Sequence, residues 1–300
     1  MDQNKAVEYE AEEAFDLDES ALPNSQDGRK AKKSFQKRFR QQRKWERQRQ
    51  RQQRRFLLKQ LVQRDFRSRY KRAALGVLWS MLSPLCNFAA QALVFSFFFR
   101  RGEHFISYLI TGNIVYHYFT DATTQCMFAI TGNLGIISRV NVNQEVFLIS
   151  RTFSSLINFC LTASIMFAIT TLDHMPFARH YVALLFPVLC LFCFNLGVGY
   201  ILATLHVFFR DIQYLYGIFT HILMYFSAIY YKVENFPPHV RELFLLNPVY
   251  CYISYFRSVI INRVIPPADF HILCAAYAVG ALLLGKAIYT LCRDKLSYYY

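Results

Sequence analysis

The stretch AALGVLWSMLSPLCNFAAQALVFSFFF, residues 73–99, contains no charged side chain. About 20 apolar residues are enough for a helix to cross the hydrocarbon core of a bilayer. The segment before it is strongly basic, because residues 29–72 hold 20 Lys or Arg and only two acids, Glu46 and Asp65. Cytoplasmic segments of membrane proteins carry an excess of positive charge. The two features together predict a membrane helix whose N-terminal side faces the cytoplasm.

The formal net charge of +14 is distributed unevenly along the 300 residues. Residues 1–53, acidic at first and then basic, are too polar to form a packed core, so we expect a disordered cytoplasmic tail. Residues 54–300 are predicted to form one transmembrane domain. We expect the basic part of the tail to contact anionic lipids and not nucleic acid, because it leads directly into a membrane helix.

Five further runs with few charges predict an all-α membrane protein with six transmembrane helices. The predicted spans are residues 73–99, 105–130, 152–172, 181–209, 212–231 and 269–292. An even number of spans places both termini in the cytoplasm, and most of the Lys and Arg outside the spans lie on that side.

Two segments next to the spans have a different character. Residues 54–72 alternate charged and apolar side chains with helical spacing, which predicts an amphipathic helix at the membrane interface. Residues 233–262 are too polar to cross fully, yet they contain LFLLNPVYCYISYF. A re-entrant pair of short extracellular helices, broken at Asn247 and Pro248, is the expected structure, since irregular backbone at membrane depth must be buried or line an aqueous route.

Three sequence blocks occur in a characteristic order. They are QRDFRSRYKRAALGVLWSMLSPL at 63–85, VFFRDIQYLYG at 207–217 and LNPVYCYISYFRSVII at 246–261. Together they resemble ABC-2 type transporter permeases, the transmembrane subunits that export polysaccharide, teichoic acid and O-antigen. The loop NLGIISRVNVNQEVFLIS at 133–150 is similar to a cytoplasmic element of that family, although Asn143 and Leu148 stand where prolines are usual.

The resemblance implies roles for particular residues. Those expected to couple the permease to an ATPase are Arg139, Glu145, Arg64, Asp65 and Arg69. Arg210 and Asp211 form the motif at the end of the fourth span, and the re-entrant gate would contain Asn247, Pro248 and Arg257.

The resemblance also implies partners and a location. A second copy of the chain, two ATP-binding cassette subunits and a lipid-linked glycan would assemble in the cytoplasmic membrane of a bacterium. ATP and magnesium would be bound by the partner subunit. The chain itself is expected to be a transport subunit with no catalytic, cofactor or metal site. Residues Gly280 to Lys286 fit the G-x-x-x-x-G-K pattern, but Ala287 replaces the Ser or Thr that binds magnesium, and the motif lies in an apolar run.

Aromatic residues leave two interpretations open. Tyr108, Tyr116, Tyr118 and Phe119 could line a path along which sugar rings slide. Packing and membrane-interface belts are the commoner roles of such side chains in membrane proteins.

Two other functions remain as alternatives. One is a membrane-embedded transferase acting on polyisoprenoid-linked sugars, which would need clustered acids or a metal site, whereas Asp65, Asp121 and Asp211 are isolated in the sequence. The other is an ABC-2 exporter of a smaller lipid or a drug.

Overall fold

The computed structural model describes residues 52, 56–65, 82, 85–91, 93–94, 104–138, 143–173, 175 and 179–296. The chain divides into two compact units, Met1–Leu57 and Leu58–Tyr300. Residues 52, 56 and 57 are the described part of the first unit, and all three are helical. The helices and contacts below belong to the second unit.

All regular structure in the described residues is helical. We label eight helices in chain order: α1 (Phe105–Met127), α2 (Leu134–Ile137), α3 (Glu145–Leu172), α4 (Leu185–Phe208), α5 (Ile212–Phe226), α6 (Pro238–Leu245), α7 (Pro248–Ile260) and α8 (Ala268–Leu296). Short 3-10 turns occupy Thr131–Asn133, Arg179–Leu184 and Val233–Asn235. Residues 56–65 and 85–91 are also helical.

Three helices of the described chain are long and apolar enough to cross a membrane. They are α3, α8 and the continuous stretch His180–Phe208 that contains α4. Helices α6 and α7 are a fourth candidate, bent by 105° at their junction, and form either one broken span or a re-entrant pair. The chain is therefore an all-helical protein with three or four candidate spans in its described part.

The other predicted spans are not among these candidate membrane helices. Helix α1 coincides with the span predicted at 105–130, but polar side chains lower its hydropathy. Helix α5 lies within the span predicted at 212–231 and has only 15 residues. The span predicted at 73–99 and the tail predicted at 1–53 lie almost entirely outside the described residues. The six-span topology thus stays a prediction.

Two helix ends differ most from the predicted boundaries. Helix α3 begins at Glu145, seven residues before the expected start, and its N-cap residue is Gln144. The Asn143 side-chain oxygen accepts a hydrogen bond from the Glu145 N–H at 3.1 Å just before the helix. Helix α5 ends at Phe226, and Ala228 with a φ of 50° turns the chain away from the helix axis. The carbonyls of this turn are used by Arg257, as described below.

Helix α1 is the centre of the bundle and packs against α3, α4 and α7. Its fully buried side chains Leu109 and Ile110 belong to the same cluster as Tyr252 and Phe256 of α7. A second cluster lies at the end of the bundle where α1 finishes and α3 begins. Its members include Leu61, Ile130, Phe147, Leu148 and Tyr289.

Helices α4 and α8 touch through their backbones. A methyl group added at Gly197 would meet the Leu282 nitrogen at 2.5 Å, and one added at Gly285 would collide with the Gly197 carbonyl. Small residues allow this close approach of membrane helices, whose association depends on van der Waals packing. Gly285, the second glycine of the G-x-x-x-x-G-K pattern, is therefore a packing residue.

Candidate functional site

The carboxylate of Asp65 organises a buried group of charged side chains. Asp65 is 3% exposed. Its Oδ1 accepts hydrogen bonds from Nη2 of Arg64 at 2.8 Å and from Nε at 3.1 Å. Its Oδ2 accepts one from the Ser150 hydroxyl at 3.3 Å and lies 3.4 Å from Nε of Arg151. A buried carboxylate requires partners that offset the loss of water, and two guanidinium groups and a hydroxyl surround this one.

Arg64 connects this group to the turn after α1. Its Nη2 donates to Oδ1 of Asn133 at 2.7 Å, and Nδ2 of Asn133 donates to the Ala129 carbonyl at 2.7 Å. We call Arg64, Asp65, Asn133, Ser150 and Arg151 the Asp65 cluster. The cluster ties the helical residues 58–65 to the turn after α1 and to the first turns of α3.

Two of the predicted coupling residues, Arg64 and Asp65, belong to the Asp65 cluster. Asp65 is too buried to meet another protein, whereas the Arg64 side chain is 39% exposed. Glu145, half-buried, lies in the first turn of α3, two turns before Arg151. Arg69 and Arg139 lie outside the described residues.

The turn between α4 and α5 holds the predicted motif Arg210 and Asp211. Both side chains are exposed, and the structure shows no ion pair between them. Asp211 is the N-cap residue of α5, where a negative charge is favourable next to the positive end of the helix dipole.

The junction of α6 and α7 is built as the sequence predicts, from an Asn-Pro pair. Oδ1 of Asn247 accepts from the Val249 N–H at 3.0 Å and the Tyr250 N–H at 3.4 Å. Pro248 occupies the first position of α7, where its missing N–H costs nothing. Nδ2 of Asn247 also donates to the Phe226 carbonyl at 3.1 Å, which fastens the junction to the end of α5.

Arg257 on α7 reaches the same turn. It is 6% exposed. Its Nη1 donates to the Ala228 carbonyl at 2.8 Å, and its Nη2 donates to the Ile229 carbonyl at 3.0 Å and the Tyr108 carbonyl at 3.2 Å. The guanidinium carbon lies 3.4 Å from the centre of the Tyr108 ring, a cation–π contact. A methyl group at Gly112 would come within 2.6 Å of Nη2, so the glycine leaves room for the guanidinium.

We call these five residues, Tyr108, Gly112, Ala228, Ile229 and Arg257, the Arg257 network. The network joins the first turns of α1, the turn after α5 and the last turn of α7. The predicted gate residues Asn247 and Arg257 thus hold one backbone turn from two sides. The contribution of Tyr108 and of the Ala228 turn had no signal in the sequence, since carbonyl partners depend on backbone geometry.

The structure separates the predicted path aromatics by burial. Tyr116, Tyr118 and Phe119 are at most 5% exposed, and Tyr108 is half-buried in the Arg257 network. Tyr118 stacks on Phe159 of α3 with ring centres 4.6 Å apart. Tyr116 donates to the Thr220 carbonyl of α5. In the single chain these rings pack between helices.

Within the described residues, no group of three or more His, Cys, Asp or Glu side chains could hold a metal ion. The eight cysteines are free thiols. Of the charged side chains in the described residues, Arg64, Asp65, Arg151 and Arg257 form the two networks above.

A family model described as ABC-2 type transporter matches residues 57–261, which include both the Asp65 cluster and the Arg257 network. The O-antigen export system permease protein RfbA of Myxococcus xanthus is 26% identical over 248 residues, 81% of this chain and 95% of the relative. The capsule polysaccharide export inner-membrane protein CtrC of Neisseria meningitidis serogroup B is 22% identical over 206 residues, 66% of this chain and 76% of the relative. The polysialic acid transport protein KpsM of Escherichia coli is 22% identical over 233 residues, 76% of this chain and 90% of the relative. The resemblance seen in the sequence blocks is confirmed.

Proposed function

We propose, from the premise that this chain belongs to the ABC-2 type transporter family, that it is the permease subunit of an exporter of cell-surface polysaccharide. The observation that carries this proposal is the extent of similarity to export proteins. The relatives from Myxococcus xanthus and Escherichia coli are matched over 95% and 90% of their length, and their names specify O-antigen export and polysialic acid transport. These names favour an exporter of glycans over a transferase or an exporter of a smaller lipid or drug.

The energy for export would come from a separate chain. In this proposal two ATP-binding cassette subunits bind ATP and magnesium and dock on the cytoplasmic side of two copies of the permease. The substrate would be a lipid-linked glycan, including teichoic-acid-type polymers, moved to the outer side of the cytoplasmic membrane.

The segment between α1 and α3 is the proposed place where the ATPase docks. Asn133 lies at the beginning of that segment, and Ser150 and Arg151 lie just beyond its end. Since all three belong to the Asp65 cluster, a displacement of the segment would be transmitted to α1, to α3 and to residues 58–65 together. A buried charge network is rigid enough for this, because breaking it leaves charges unpaired in the interior.

Charge reversal tests the docking proposal. Glu145→Arg and Arg139→Glu should each lower the amount of ATPase that co-purifies with the permease, with normal permease abundance in the membrane. Breaking an interface charge pair commonly costs about 3 kcal/mol, which weakens binding roughly a hundredfold. ATPase activity of the purified complex should fall in parallel.

Two controls make the result specific. Leu185→Ile, a conservative change at an exposed apolar position, should leave docking unchanged. Asp65→Asn should lower permease abundance itself, because it leaves Arg64 and Arg151 beside a neutral buried amide. Normal docking and normal surface glycan in both charge reversals would refute the assignment of this segment as the docking site.

A further inference from the structure

Helix α1 shows only one narrow face at the surface of the single chain. From Leu109 to Met127 every residue is buried except five. These five are His117, Thr120, Asp121, Thr124 and Gln125. Their spacing of three and four residues places them on one side of the helix, about 12 Å long at 1.5 Å per residue. We call this set the α1 polar face.

The surfaces of neighbouring helices have the opposite character. On α5 the exposed side chains include Leu215, Ile218 and Ile222, and on α8 they include Val279 and Leu283. These faces suit contact with lipid tails. The α1 polar face does not, because ionisable and hydrogen-bonding side chains in a membrane are costly unless they face a partner, a cavity or water.

A small cleft lies between α1, α3 and residues 85–91. Most of its lining is apolar and comes from Leu85, Phe88, Ile110, Ile114 and Ile165. Its polar lining residues are Asn87, Gln91, Asn113, His117 and Thr162. Within it, Nδ2 of Asn113 donates to Oε1 of Gln91 at 2.5 Å. His117 therefore belongs both to the cleft and to the α1 polar face.

We propose that the α1 polar face is a wall of the route taken by the exported glycan, and this inference rests on the proposed export function. Hydroxyl, amide, imidazole and carboxylate groups match the mixed donors and acceptors of sugar hydroxyls. The five side chains offer many weak contacts of similar chemistry along one line, as a moving polymer requires. The buried side chains of the same helix, among them Tyr116, Tyr118 and Phe119, pack against the neighbouring helices.

Removing hydroxyls from the face provides the first test. The double variant Thr120→Val with Thr124→Val keeps side-chain shape while removing two hydrogen-bonding groups. The matched control is Thr171→Val with Thr290→Val, since both residues are exposed helical threonines on α3 and α8. Like Thr120, both bond their own helix backbone.

We expect the α1 variant to lower surface glycan about fivefold or more, which corresponds to at least one lost hydrogen bond of about 1 kcal/mol. Membrane abundance and co-purified ATPase should match the unaltered protein in both variants. Equal surface glycan in the α1 variant and the control would overturn the inference.

Site-specific crosslinking tests the same idea without relying on a fold-sensitive substitution. A benzophenone amino acid replaces Thr124 in one version and Leu283 in the other, in cells that contain the partner ATPase. Irradiation should attach glycan, detected by a carbohydrate stain, to the version labelled at 124 and not to the one labelled at 283.

Two other outcomes of the crosslinking experiment would count against the proposals. Crosslinking at 124 to a second copy of the permease or to lipid, without glycan, would overturn the inference. If cells with the unaltered permease show no surface glycan, the proposed function itself is refuted. In that case no glycan is exported for the α1 polar face to contact.

Discussion

The buried guanidinium of Arg257 donates its hydrogen bonds to backbone carbonyls. Within the described residues, no carboxylate lies at ion-pair distance from it. Three carbonyls and the Tyr108 ring take the place of an acid. Two of these carbonyls follow directly after α5, where the negative end of the helix dipole favours a cation.

This arrangement depends on the planar guanidinium group, which donates several hydrogen bonds in fixed directions. Arg257→Lys keeps the charge but offers one ammonium group, which cannot reach carbonyls of Tyr108, Ala228 and Ile229 at once. We expect a loss of about 3 kcal/mol of stability, since buried acceptors are left unsatisfied. The measurement is the midpoint of thermal unfolding of the detergent-purified permease.

Arg241 is the matched control, because its side chain is exposed and also donates to two carbonyls, those of Phe236 and Glu234. Arg241→Lys should shift the midpoint little, as water replaces the lost bonds. Similar midpoints for the two variants would show that the Arg257 network contributes no special stability.

The aromatic and the polar side chains of helix α1 differ in burial. The aromatic residues that suggested a path are buried or half-buried between helices. In the α1 polar face, His117 is exposed and the other four side chains are half-buried. Polar residues occur throughout positions 117 to 125, but Thr123 among them is buried. Which face is exposed depends on the packing of α3, α4 and α7 around α1, and that arrangement has no local signature in the sequence.

Helix ends were predictable where a single side chain decides them. The break at Asn247 and Pro248 follows from capping and proline chemistry alone, and the structure has it there. The start of α3 was not predictable in the same way, because Asn143 lies in a polar segment whose sequence indicates irregular structure.

The partners of Asp65 could not be predicted from the sequence, since Asn133 and Arg151 are brought close to it by tertiary packing.

The contact between α4 and α8 can be tested with two glycines on one helix. Gly285→Ala should weaken or rearrange the packing of the two helices, because its methyl group would meet the Gly197 backbone. Overpacking of this kind typically costs about 1–3 kcal/mol. Thermal unfolding in detergent and membrane abundance should both decrease.

Gly280→Ala is the control, since no atom lies within 4 Å of the added methyl group. It should be neutral or slightly stabilising, because alanine favours the helix. An equal loss in both variants would mean that helix propensity, and not the α4–α8 contact, governs the result.

The arrangement of the whole chain in the membrane can be tested by labelling introduced cysteines. The six-span prediction places Asn24 and Tyr300 in the cytoplasm and Asp173 and Phe236 outside. Single cysteines introduced at these positions in a cysteine-free version should react with an impermeant maleimide from outside at 173 and 236 only.

A reactive cysteine at position 24 in intact cells would contradict the predicted orientation. The basic residues of 29–72 are the physical reason for expecting otherwise, since positive charge near the first span is retained in the cytoplasm. Lysed cells, in which all four positions should react, provide the control for accessibility.

The backbone contact of Gly197 with Gly285 also sets an order of events during synthesis. Helix α4 leaves the ribosome well before α8, so the groove at Gly197 is at first without the helix that fills it. Because neighbouring domains and helices assemble as the chain emerges, the bundle is complete only after α8 has inserted. A chain arrested before that point leaves the α4 backbone at Gly197 without the helix that contacts it.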